Sequence, residues 1–148
     1  MRRQWRVWAR RRQVAAAEGR GADAIGHYRE AVKHADAQGL AEVGDVPKIR
    51  LNLATALQSG SPADVGEADM HFRRLVTSAS ASGIAHLIYG AFLEGRSLPR
   101  AVDQYRHAVM LGRGAERRFA RLRLGLALAR HAFAVTPDAL PCGDEVLP

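Results

Sequence analysis

The chain has 148 residues, 47% of them hydrophobic, and a formal net charge of +7, a length that suits one domain able to withdraw about two thirds of its unfolded surface from water. No apolar run approaches the ~20 residues that cross a bilayer, so no membrane partner is expected. The single cysteine, Cys142, excludes an internal disulfide, and the run Arg10 to Arg12 breaks any secretory apolar stretch, which leaves the cytoplasm as the expected compartment.

Six arginines, Arg2, Arg3, Arg6, Arg10, Arg11 and Arg12, precede the first acid, Glu18. A helix is expected over 4–18, with this basic patch on a solvated face and Trp5, Trp8, Ala9 and Ala16 on one side. The two tryptophans suit either the cap of an open stack of helices or platforms for bases. A second helix is expected over 21–37, because Ala24, Tyr28, Ala31, Val32 and Ala35 recur at helical spacing. Asp45 and Pro47 open a third over 47–59; Ser61 as N-cap and Pro62 in the first turn open a fourth over 62–80. In that fourth helix Ala68, Phe72, Leu75, Val76 and Ala79 repeat the stripe of the second. A fifth spans 83–94, Ser97 and Pro99 open a sixth over 98–111, and a seventh covers 115–134. Gly19, Gly60 and Gly95 stand where a left-handed cap closes a helix. Pro137 and Pro141 forbid a further helix and mark 137–148 as a Pro-rich tail, expected to be flexible.

Two patterns interleave along these helices. The first is Ala-x-x-[His/Gln]-[Tyr/Phe]-Arg-x-[Ala/Leu]-Val, at AIGHYREAV (24–32), ADMHFRRLV (68–76) and AVDQYRHAV (101–109). The second, Leu-x-[Leu/Tyr]-[Ala/Gly]-x-x-Leu, occurs at LNLATAL (51–57), LIYGAFL (87–93) and LRLGLAL (122–128). Similar periods in two interleaved motifs mean a repeated helical pair. In each pair a small residue, Ala54, Gly90 or Gly125, lets a neighbour approach while a ring fills the adjacent gap.

These units resemble tetratricopeptide repeats. Leu124-Gly125-x-x-Leu128 matches the first half of that family's pattern, and Ala24-Tyr28-Ala31, Ala68-Phe72-Leu75 and Ala101-Tyr105-Ala108 its second; Trp8 and Gly19 fall at its tryptophan and turn glycine. The step of 44 residues between Ala24 and Ala68 and the 39–46 connection exceed the usual 34-residue unit, as in long-helix variants, and the unit-closing proline is absent. The resemblance implies an all-α, right-handed α-solenoid of about three and a half helix-turn-helix repeats over 1–136, roughly seven helices.

It also implies a non-catalytic scaffold, adaptor or sensor module that binds a protein segment, a peptide or helix, in a concave groove. The groove side falls on Lys48, Leu51, Asn52, Thr55 and Gln58 in one unit, on Ile84, Leu87, Ala91 and Glu94 in the next, and on Phe119, Leu122, Arg123 and Leu126 in the last. Leu51, Leu87 and Leu122 read equally well as core between units. A full carboxylate clamp is not expected, since Ala9, Gln13 and Ile84 stand at other clamp positions. The rival reading is a nucleic-acid-binding repeat that uses the arginine-rich start together with Arg117, Arg118, Arg121 and Arg123. A third makes the chain one piece of a larger signalling protein, and open ends of the stack also offer self-association.

Chemistry finds little support. His27, Glu30 and His34 share a helical face, but repeat inheritance explains His27 and His71, and no metal or other cofactor is expected. Glu67 with His71 and Asp103 with His107 read as stabilising i, i+4 pairs. Cys142 lacks a structured base, and there is no phosphate loop, cysteine pair or H-E-x-x-H.

Overall fold

The computed structural model describes residues 21–135, and it is all-helical over that span. Six helices follow one another: α1 (Gly21–Ala37), α2 (Val46–Leu57), α3 (Pro62–Thr77), α4 (Gly83–Leu93), α5 (Leu98–Leu111) and α6 (Gly114–Val135). No strand occurs among the described residues. The expected helix over 4–18, the basic patch Arg2, Arg3, Arg6, Arg10, Arg11 and Arg12, Trp5, Trp8 and the tail 137–148 lie outside them.

Local sequence sets the helix ends. Ser61 accepts a hydrogen bond from the Asp64 amide at 3.2 Å while the Ser61 amide donates to the Asp64 carboxylate at 3.0 Å, a complete capping box in front of Pro62. Ser82 caps α4 through the Ala85 amide. Asp45 and Ser97 stand at the N-caps of α2 and α5, yet neither makes a side-chain cap bond. The left-handed caps also differ from expectation: Gly60 and Gly95 do not take positive φ, whereas Gly39, Gly44 and Gly114 do. At Gly39 (φ +68) the Leu40 amide reaches the Ala35 carbonyl and the Gly39 amide the Asp36 carbonyl, a Schellman closure of α1 that only an achiral residue makes without strain. α3 stops at Thr77, three residues short of the expected end, where Ser78 turns to an extended backbone.

Each helix packs on its neighbours in chain order, and α4 also reaches α6. The repeated ring positions are interior: Tyr28 is 9% exposed, Phe72 and Tyr105 0%. Between α3 and α4 the rings themselves form the contact, with Phe72 stacked on Tyr89 at 5.3 Å and tilted against Phe92 at 5.1 Å. Between α4 and α5 the interlock is tighter, because Gly90 leaves the place of a side chain to the Tyr105 ring. The third small residue, Gly125, departs from this scheme: it is exposed, nothing lies within 4 Å of where a Cβ would stand, and Leu128 beside it is also open. No described helix follows α6 to cover that side.

Buried polar side chains tie successive helices together. Arg50 on α2, 2% exposed, donates to Asp36 of α1 and lies 3.3 Å from Nδ1 of His71 on α3. Asp36 also receives Arg74 of α3 at 2.9 Å, so one carboxylate joins three helices. On the outside, Arg29 of α1 forks onto Glu67 and Asp64 of α3, which holds the Glu67 carboxyl below its ordinary range. Farther along, the Tyr89 hydroxyl of α4 donates to Asp69 of α3 and accepts from Arg100 of α5.

Candidate functional site

The residues expected on a recognition face come from α2, α4 and α6. Lys48 and Thr55 on α2 are exposed, and Leu51, Asn52 and Gln58 half-buried. On α4, Ile84 and Ala91 are exposed, but Leu87 is 7% exposed within the core. Leu87 therefore does not face a ligand: its side chain belongs to the hydrophobic core and offers a partner almost no surface. On α6, Phe119, Leu122 and Leu126 all stand more than half exposed. Their backbone position is secure, since Ala120, Ala127 and part of Leu124 on the opposite side of the helix belong to the core.

At one end of this face, charges converge on Glu94, the residue that follows α4. Its Oε1 accepts from Arg123 Nη2 at 2.6 Å and from the Tyr105 hydroxyl, and its Oε2 accepts from Arg130 Nη1 at 3.2 Å. Arg123 Nε also donates to the Tyr105 oxygen at 3.3 Å. Burial, reinforced by the bond to the Glu94 carboxylate, pushes the Tyr105 hydroxyl up to about 12, so it stays a protonated donor at neutral pH. Arg96, stacked on Phe92 at 4.1 Å, donates to the Phe92 carbonyl and weakly to the Gln58 carbonyl, joining the ends of α4 and α2. Glu94 and Arg123 were both expected on the face; here they form a structural lock, and Arg130 joins it. Removing Arg123 would leave Glu94, whose side chain is 16% exposed, short of its closer cationic partner.

Other singled-out groups have ordinary partners. His71 packs in the interior beside Glu67 at 3.5 Å. His107 turns from the Asp103 carboxylate, which pairs with Arg106, and donates from Nδ1 to the Asp103 carbonyl instead. It stacks at 5.1 Å on buried His86, whose Nδ1 meets Gln104 Oε1 at 2.8 Å. No group of three metal-ligating side chains occurs among the described residues. Of the α6 arginines, Arg117 holds the Gly112 carbonyl at 2.8 Å and Arg123 holds Glu94, while Arg118 and Arg121 remain exposed. No described helix is long and apolar enough to cross a membrane. No family model, no curated protein and no solved structure matches the chain.

Sequence reasoning missed Arg50. Its position is marked in the chain only by falling one turn before Leu53 and Ala54 on the buried stripe of α2; a charged residue on such a stripe needs a carboxylate from another element, and Asp36 supplies it.

Proposed function

We propose that this chain is a non-catalytic, cytoplasmic interaction module: its helical pairs stack as a right-handed solenoid of the tetratricopeptide kind, and the outward side of alternate helices binds a peptide or helix of another protein. The observation that carries this reading is the run of accessible side chains on α2 and α4, mixed in character from Lys48, Asn52 and Thr55 to Ile84 and Ala91. Apolar groups that enter pockets beside amide and hydroxyl groups that satisfy a backbone suit an extended or helical ligand. The nucleic-acid reading ranks second, because three of the five α6 arginines, Arg117, Arg123 and Arg130, are committed within the fold and Arg118 and Arg121 remain available. Such binding would weaken steeply with salt, with a slope near the number of phosphates contacted.

The test is affinity capture with the full chain against a variant carrying Lys48→Glu, Asn52→Ala and Ala91→Glu, all at accessible or half-accessible positions. Arg123 is left intact because of its lock on Glu94. The reading expects a protein partner that the wild type retains, that the variant loses and that nuclease treatment leaves unchanged. Equal retention by both, or loss after nuclease treatment, contradicts it.

A further inference from the structure

α6 carries two apolar stripes. Ala120, Leu124, Ala127 and His131 face the rest of the protein, and about 150° around the helix lies a second line, Ala115, Phe119, Leu122, Leu126, Ala129 and Phe133. Nothing among the described residues covers this line: Phe119 is 52% exposed, Leu122 57%, Leu126 53% and Phe133 65%. Its steps alternate four and three residues throughout, the heptad spacing of a seam between two helices rather than the broader stripe that seats a helix on a globular core.

We propose that the occupant of this seam is α6 of a second copy of the chain, running antiparallel across a two-fold axis near Leu124 and Gly125. When two copies of this helix lie head to tail about that axis, Phe119 meets Ala129 of the second copy, Phe133 meets Ala115, and Leu122 meets Leu126. Every ring is opposite a methyl and the leucines fill the centre, so both partners satisfy the same surface, as an isologous interface requires. A parallel pairing would instead set Phe119 against Phe119 and Ala129 against Ala129. Charge is no obstacle: Arg123 and Arg130, which flank the seam, are both held by their own Glu94. Gly125, mid-helix, exposed and with open space over it, lies beside the axis where backbones approach most closely. The four large side chains expose roughly 900–1,000 Å² across two copies, and the alanines and arginine stems beside them bring the available surface to the roughly 1,200 Å² at which stable interfaces begin.

This assignment goes beyond the ligand-binding proposal and does not depend on it. It takes Phe119, Leu122 and Leu126 into the dimer and leaves Lys48, Asn52, Thr55, Ile84 and Ala91 for a partner. The experiment needs no ligand, so the two proposals fail separately.

The full chain is studied by sedimentation equilibrium across micromolar concentrations, with far-ultraviolet circular dichroism as the check on folding. The wild type sediments as a dimer, and Leu126→Glu is monomeric with unchanged helicity. Ala129→Phe adds apolar surface yet weakens the dimer at least about tenfold, since two pairs of rings now collide; combining it with Phe119→Ala restores association. In a Cys142→Ser background, Phe119→Cys with Ala129→Cys cross-links two chains on mild oxidation, and Phe119→Cys alone does not. A monomeric wild type, stronger association of Ala129→Phe, or self-cross-linking of Phe119→Cys overturns the assignment.

Discussion

Replacing Gly90 by Ala tests the interlock between α4 and α5. On helix propensity alone the change should stabilise by about 0.8–1 kcal/mol. The new Cβ, however, would stand 2.6 Å from Cε1 and 2.8 Å from Cδ1 of Tyr105, where carbon atoms ordinarily keep ~3.5–4.0 Å. The ring must retreat by about 1 Å, and it is held: Tyr105 is fully buried and its hydroxyl is engaged by Glu94 and Arg123. Overpacking of this kind costs about 1–3 kcal/mol, and a ring held at its hydroxyl end and buried all round takes the upper part of that range, about 2–3 kcal/mol, so the propensity gain is outweighed and the net loss is on the order of 1–2 kcal/mol. Urea unfolding followed by circular dichroism should show the midpoint lowered by about 0.5–1 M. Gly66→Ala on α3 is the control, because nothing lies within 4 Å of its added methyl; it should stabilise by about 0.5–1 kcal/mol. If Gly90→Ala stabilised as much as Gly66→Ala, the close approach of α4 to the Tyr105 ring would be refuted.

Three further outcomes follow from the same geometry. Asp36→Ala, which leaves buried Arg50 without its carboxylate, should cost about 3–5 kcal/mol in urea unfolding, and Arg50→Met, which removes the charge itself, should cost clearly less. Burial lowers the affinity of His71 and His86 for a proton below the ordinary value of 6.5; at His71 the Arg50 charge adds to this against smaller opposing effects of Glu67 and Asp36, and at His86 the bond to Gln104 opposes it in part while nearby His107 adds a still smaller lowering. Because the folded state disfavours the charged imidazoles, their contribution is complete above pH ~6.5 and is lost as pH falls below it towards the folded values; His86→Gln should flatten that fall, and a midpoint that rises between pH 7.5 and pH 5.5 would contradict it. Ser61→Ala should cost about 1 kcal/mol through loss of the capping box, with an unchanged dependence on urea concentration.

The fold was legible where one residue's role depends on close neighbours in the chain. Tyr28, Phe72 and Tyr105 recur at one spacing among small residues, and all three are interior; Ser61-Pro62 announces a helix start and makes one. Helix ends were less legible, since a glycine near a boundary serves several purposes: Gly60 leaves room for the Asp64 side chain that would otherwise meet its Cβ at 2.7 Å, whereas Gly39 takes the left-handed turn. Roles fixed by distant partners left the faintest trace. Arg50 reads as a surface charge until Asp36 and His71 are brought to it across other helices. Leu87 and Leu122 occupy equivalent repeat positions, yet Leu87 is covered and Leu122 is open. The second stripe of α6 was only partly seen, because Phe133 lies beyond the repeat motif that drew attention to Leu122 and Leu126.

The most direct measurement of the central claim, that the outward side of alternate helices is the recognition surface, is a hydrogen-exchange footprint of the full chain with and without the captured protein segment. The account predicts added protection along α2 and α4, over 48–58 and 84–94, with α3 and α5 unchanged. Protection confined to α3 and α5, or none on α2 and α4, would contradict it.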